Sequence, residues 1–370
     1  MRSLLARIDI NRLGSRLKEK LVVIESDDWG SHRMPSKQAY KSLLNNGVPV
    51  DKSPYTRYDG LERDSDIENL LGILNNHKGV DGKPVCFTAN TVVGNPNFEK
   101  IKKSDFKEYA WVNIKETYDK AEDSNKALNL IHEGIQNSLW MPQFHGREHV
   151  NVKRWMQFLK EKKEPFYSAF EQGVWGLSND LVSGPSIQAS FETNNTEESI
   201  QIIKEGLSQF ETIFGFRSTT FIANNYIWSE ALNKGLMELG IEHFQGMKLQ
   251  LLPKLNFQEK RKTIRRKTGE FNEFGQTYAV RNCHFEPTER GHTVEKVLQE
   301  VSSSFFWKKP AIICTHRINY TSRLDVKKRD ENLRNLDLLL TKIIEKWPDA
   351  RFISSVELAK VLKNDRGISM

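Results

Sequence analysis

The chain is poor in cysteine. Its three, Cys86, Cys283 and Cys314 in 370 residues, are odd in number, widely spaced and set in or near apolar stretches. That distribution argues against a disulfide frame and for reduced, packed thiols of a cytoplasmic protein. Long hydrophobic runs are lacking too. No apolar stretch approaches the ~18–20 residues that span a bilayer, so no transmembrane segment is expected. Residues 1–20 mix Arg, Lys, Asp and Glu with apolar residues and lack the apolar core of a secretory signal. There are no internal repeats, heptads or low-complexity tracts. Charge is nearly balanced, 55 Lys+Arg against 48 Asp+Glu for a net +7. One basic run, Lys260 to Lys267, is concentrated enough to touch an anionic polymer, and it reads better as a solvated loop or hairpin. No nucleic-acid partner is expected.

What is present is an alternation of strand-like and helix-like segments, the signature of an α/β chain with largely parallel strands. Strands are expected at Leu21–Ser26, Pro84–Asn90, Trp140–Phe144, Gly215–Ile222, Ile241–Phe244, Pro310–Thr315 and Arg351–Ser354. Helices are expected near 152–159, 197–213, 229–239, 294–301 and 330–346, each with apolar residues three and four apart. Two segments break the alternation. Residues 31–80 are polar and carry Pro35, Pro49 and Pro54, and residues 247–281 are basic and hairpin-like. A single core rarely grows beyond about 250–300 residues. The chain therefore reads as one catalytic domain over 1–370 with insertions at about 31–80 and 247–281.

The first strand runs into Glu25-Ser26-Asp27-Asp28-Trp29-Gly30. Two carboxylates at the end of a buried strand are costly unless a cation or a hydrogen-bond network compensates them. Adjacent strand residues point to opposite faces. Asp27 and Asp28 can share a pocket only if the chain turns there, which Trp29-Gly30 would allow. His145-Gly146-Arg147-Glu148-His149 follows the third strand. On a helix, residues four apart share a face and could share a metal. Asp27, Asp28, His145, Arg217 and His316 all fall at, in or just after strand ends, where α/β folds place function.

Taken together, these residues resemble the NodB-type polysaccharide deacetylase family, a group of carbohydrate esterases. The resemblance lies in Ser26-Asp27-Asp28-Trp29-Gly30, in His145-Gly146-Arg147-Glu148-His149, in Phe216-Arg217, and in Ile312-Ile313-Cys314-Thr315-His316, in the family's order. It covers roughly residues 20 to 360. It implies a distorted (β/α) barrel with insertions and a divalent metal, most simply Zn2+, held by Asp28, His145 and His149. It further implies Asp27 as general base, Arg217 holding Asp27 ionised, and His316 as general acid. The family's Arg-x-Pro-Tyr segment reads Arg217-Ser218-Thr219-Thr220 here. The aspartate that orients the acid histidine has no clear match, and Glu286 or Asp325 could substitute. Among the tryptophans, Trp29, Trp175 and Trp228 could form sugar-stacking walls but suit core packing better.

The function implied is a hydrolase acting on a non-peptide carbon–nitrogen bond, removing an acyl group, N-acetyl first, from a carbohydrate or glycoconjugate. Two alternatives stay open: a catalytically silent glycan-binding protein of the same fold, and a glycosidase using two carboxylates about 5–10 Å apart without a metal.

Overall fold

The computed structural model describes residues 9–177, 181, 185–254, 256, 258 and 260–365. Nine of the ten strands of its main sheet frame the site: β1 (Lys20–Trp29), β2 (Phe87–Thr91), β3 (Trp140–Phe144), β4 (Thr220–Phe221), β5 (His243–Gly246), β6 (Thr277–Val280), β7 (Cys283–His284), β8 (Ala311–His316) and β9 (Ala350–Phe352). Neighbours along the path β6-β5-β4-β3-β2-β1-β8-β7 are all parallel, and β9 pairs in parallel with the start of β1. The two ends of that path, β6 and β7, are separated in the chain only by Arg281 and Asn282. One extended segment thus leaves β5 and takes up β8: the Arg281 N–H still bonds Gly246 O, and the Asn282 N–H already bonds Ile312 O. The two ends of the path are thus joined by the chain itself and not by pairing with each other, in keeping with the expected distorted (β/α) barrel.

The helices follow from the sequence in a regular way. Helix α1 (Asp64–Asn76), α2 (Ala127–Gln136), α3 (Val152–Lys160), α4 (Thr196–Phe214), α5 (Asn233–Glu238), α6 (Val294–Phe306), α7 (Val326–Lys346) and α8 (Ser355–Asn364) connect or flank the strands. Asn195 caps α4 by accepting the Glu198 N–H, and Glu197 and Glu198 sit in its first turn against the helix dipole. Ser354 and Glu357 form a capping box at α8. The Ser229–Leu239 helix is split into a 3₁₀ turn, Glu230–Leu232, and α5.

Three apolar clusters hold this framework. Val22 and Ile24 of β1 join Phe87, Phe144, Phe244, Ile313 and the inner faces of α1, α2, α4, α6 and α7. The alternate residues Leu21 and Val23 join Ala279, Ile312, Leu358 and Leu362, so α8 plugs one end of the ring. A separate cluster gathers Met34, Leu43, Val50, Ile101, Trp155, Phe170, Trp175 and Ile187. It is a second small core at the pocket's side, made from three distant stretches of chain. The 31–80 segment therefore divides: its first half feeds this second core, whereas α1 packs in the main one through Ile67, Leu70 and Leu74.

The 247–281 segment divides as well. Leu249–Leu251 and Thr263–Arg265 pair as an antiparallel hairpin, as expected, but Thr277–Val280 is a strand of the ring. The basic run lies on that hairpin, with Arg266 paired to Glu230 and Glu270 and Arg265 paired to Asp9. All three cysteines are buried free thiols. Among the described residues, no helix is long and apolar enough to cross a membrane.

Candidate metal and acid–base site

The pocket lies at the carboxyl ends of the ring strands. It has a volume of about 190 Å3 and is lined by Asp27, Asp28, Arg33, Tyr55, His145, His149, Gln188, Ala223, Asn225, Tyr226 and His316. Both aspartates reach it because β1 does not continue straight. Its register with β2 shifts between Ser26 and Trp29, and Asp28 sits at φ 77°, in the left-handed region. That single twist turns two successive side chains to one side. Gly30 follows at φ 79°; a Cβ there would lie 2.6 Å from Val92 O, so only glycine fits the turn. Trp29 turns the other way, into the core, with its ring 4.6 Å from that of Trp140 and its Nε1–H on Ser26 Oγ.

His145 and His149 do not lie on a helix. The segment after β3 is a loop, with Gly146 at φ 121°, and α3 begins only at Val152. The loop still brings the two rings to 5.3 Å. His145 Nδ1 donates to Ile222 O at 3.0 Å, because a carbonyl can only accept. Its Nε2 then carries a lone pair and points at Asp28 Oδ1, 3.3 Å away, while His149 Nε2 lies 3.2 Å from the same oxygen. These separations are close to the edge of a tetrahedron whose metal–ligand bonds are about 2.0–2.1 Å. The His145 lone pair and Asp28 Oδ1, facing each other at this distance, repel unless a cation lies between them.

Electrostatics points the same way. Burial pushes the His149 ring below its ordinary value despite Asp28, which favours the neutral, ligating form. Burial opposes the charge on Asp28, but Arg33 and the two histidines hold its carboxyl well below the usual range. Around the pocket six buried carboxylates, Glu25, Asp27, Asp28, Asp59, Glu62 and Glu286, face three buried guanidiniums, Arg33, Arg281 and Arg317, and the His316 ring. The excess of negative charge suits a dication, and the oxygen and imidazole donors suit zinc or a similar borderline ion. The residues present therefore fit the metal that the family resemblance implies.

Asp27 is gripped differently from the expectation. Arg217 is half exposed and pairs with Glu211 on the outside of the ring, because the Gly215–Thr219 stretch leads into β4 from its far end. Arg281, at the β6–β7 junction, takes the place assigned to Arg217. Its Nη1 and Nη2 donate to Asp27 Oδ2 at 2.6 Å and Oδ1 at 2.7 Å, and its Nε donates to Glu25 at 2.7 Å. Asn90 Nδ2 adds a bond to Asp27 Oδ1 at 2.8 Å. Burial alone would raise the Asp27 carboxyl; the Arg281 charge brings it down to about 2. Glu25, deeper in the ring, is raised by burial in spite of the same guanidinium.

His316 ends β8 as expected, with Nε2 3.7 Å from Asp27 Oδ2. Its Nδ1 is 2.6 Å from Glu286 Oε1, and Asn319 donates to the other Glu286 oxygen at 2.8 Å. Glu286 is thus the acid that orients His316; Asp325 instead caps α7. Burial would lower the His316 ring, but Glu286 lifts it to about 9. Trp175 stands beside the site, its ring 5.7 Å from that of His149, whereas Trp228 stacks on Phe244 in the core.

Sequence reasoning missed Arg281 and Arg33. Arg281 was hidden by reading its strand as part of a basic excursion, although Thr277-Tyr278-Ala279-Val280 has the residue types of a short strand. Arg33 follows the Asp-Asp turn in a polar stretch without pattern. It reaches Asp28 Oδ2 with Nη2 at 3.3 Å, and below it Arg317 ties Asp59, Glu62 and Ser31 O into one buried network.

No protein-family model matches the chain, and no curated protein matches it. Solved structures do resemble it at low identity. One, assigned as a polysaccharide deacetylase from Mycobacterium smegmatis, is 10% identical with a TM-score of 0.47, over 96% of this chain and 96% of that one. A probable polysaccharide deacetylase from Pseudomonas aeruginosa PAO1 is 8% identical with a TM-score of 0.45, over 95% and 92%. A 4-alpha-glucanotransferase from Thermococcus litoralis is 9% identical with a TM-score of 0.47, over 93% of this chain but 40% of that one. At these values what the site can do is read from its own geometry.

Proposed function

We propose that the chain is a divergent NodB-type, metal-dependent hydrolase that removes an acyl group, N-acetyl first, from a carbohydrate or glycoconjugate. The observation that carries this reading is the meeting of Asp28 Oδ1, His145 Nε2 and His149 Nε2 in one pocket with an ionised Asp27 and a protonated His316.

Asp28, His145 and His149 would hold the ion, with Zn2+ as the first choice. A divalent cation bound there would acidify a water and polarise the acyl carbonyl. The chain's own groups supply the rest. Asp27 accepts the proton of the attacking water, and Arg281 and Asn90 fix the carboxylate so that no reorganisation is needed when it does so. His316 carries a proton at neutral pH and gives it to the leaving amine, which otherwise departs as a poor anion. Glu286 keeps the imidazole turned, with Nε2 facing the pocket. The insertion that carries Tyr55 and Arg33 adds both side chains to the pocket wall.

The test is metal analysis of the purified protein, followed by acetate release from a panel of N-acetylated sugars and sugar nucleotides with and without chelator. Acetate released by the metal-loaded protein and abolished in Asp28→Ala and His149→Ala is the expected result. Full metal content and full turnover in both variants would remove the assignment.

A further inference from the structure

The three buried guanidiniums around the pocket are not equally satisfied. Arg281 donates to Glu25, to both oxygens of Asp27, to Tyr226 and to Cys314. Arg317 donates to Asp59, Glu62 and Ser31 O. Arg33 is just as buried, at 2% exposure, yet among the described residues it makes one hydrogen bond, the 3.3 Å contact of Nη2 with Asp28. Its Nε lies 3.2 Å from Asp59 Oδ2, but neither atom has a hydrogen-bond partner. A guanidinium carries five N–H donors; Arg33 is ion-paired with Asp28 and Asp59 but uses one donor in a hydrogen bond, so the others are available on the pocket side. The rings of Tyr55 and Trp175, 5.3 and 5.2 Å from its central carbon, attract the cation but accept none of its in-plane N–H bonds.

Arg33 lines the same pocket as Asp27 and His316. That pocket, about 190 Å3, is smaller than the ~300 Å3 at which ordinary ligand sites begin. It has room for an acyl group and a few further atoms, so what it selects is the part of the substrate next to the acyl group.

We propose that the carbohydrate-derived substrate bears a carboxylate close to its acyl group, and that Arg33 is the residue that binds this carboxylate. The inference rests on the hydrolase reading of the same site and narrows its substrate class. A planar guanidinium fork matches the two oxygens of a carboxylate. An anion placed there also completes the donor set that Asp28, drawn toward the two histidines, leaves open.

The experiment measures calorimetric binding to the zinc-loaded full chain with four probes: N-acetylglycine, N-acetylglycinamide, N-acetylglucosamine and N-acetylglucosamine 6-phosphate. Wild type, Arg33→Lys and Arg33→Gln are compared, and acetate release is followed in parallel. N-acetylglycine is expected to bind at least roughly tenfold more tightly than its amide, as a charge-assisted pair should. Arg33→Gln is expected to erase the difference, and Arg33→Lys to keep only part of it. Equal binding of acid and amide by wild type, a preference that survives in Arg33→Gln, or tighter binding of the phosphorylated sugar than of N-acetylglycine would each overturn the proposal. The wild-type pair decides even if a variant fails to fold. Carboxylate preference without acetate release would sink the hydrolase reading alone; acetate released equally from acid and amide would sink the substrate class alone.

Discussion

Arg281 and Asp27 are joined by two parallel hydrogen bonds, Nη1 to Oδ2 at 2.6 Å and Nη2 to Oδ1 at 2.7 Å, with neither side chain more than 3% exposed. The same guanidinium also neutralises Glu25 beneath. Replacing Arg281 by Met leaves two carboxylates buried without their cation. Breaking a buried pair in this way costs about 3–5 kcal/mol. Denaturant unfolding of Arg281→Met should show a loss of that order, and a change below about 1 kcal/mol would remove Arg281 from its assigned place.

Arg217→Ala makes the opposite forecast. Arg217 is half exposed and touches Glu211 on the surface. Such substitutions usually stay within about 0.5 kcal/mol. Both the unfolding midpoint and acetate release should match wild type, and a clear loss of turnover would restore Arg217 to the site.

The Glu286–His316 pair sets an alkaline limit. His316 is lifted from 6.5 to about 9, so it is protonated below that value and loses its proton above it. Its contribution to stability is fully present below about 6.5 and is lost as the pH rises through about 9. Hydrolysis that draws on this proton should decline above about pH 9. In Glu286→Gln the decline should move down toward 6.5, read from the rate–pH profile. An unmoved limb would show that Glu286 has no hold on the proton.

Removal of the metal should be visible without any substrate. A ligand at about a thousand times its dissociation constant stabilises the folded state by about 4 kcal/mol. Chelator should therefore lower the melting temperature of the wild type, and added zinc should restore it. Asp28→Ala and His149→Ala should show neither response. A melting temperature indifferent to chelator and zinc in the wild type would argue against the ion.

The sequence was most legible where chemistry and periodicity coincide. The apolar runs before Asp27, His145 and His316 announce buried strands, and their polar ends announce the pocket. It was least legible where a residue acts across a long gap in the chain. Arg281 meets Asp27 over 254 positions, through a strand of four residues attached to a hairpin with the opposite character. Arg33 reaches Asp28 five residues away because the backbone reverses between them, a turn whose exact course no periodicity records. The missing orienting aspartate had a simpler answer. Glu286, one carbon longer, does the work from the stretch that follows β7.

The left-handed dihedral of Asp28 has a consequence for how this position can vary. Few residue types are at ease at φ 77°: glycine, asparagine and aspartate, whose short polar chains tolerate it. Of these only aspartate brings a negative oxygen. The backbone therefore narrows the choice before any ion is considered, and a glutamate, chemically the nearest substitute, would meet the turn before it met the histidines. Descendants of this chain that discard the chemistry are expected to carry asparagine or glycine at position 28, keeping the shape of the turn after its purpose has gone.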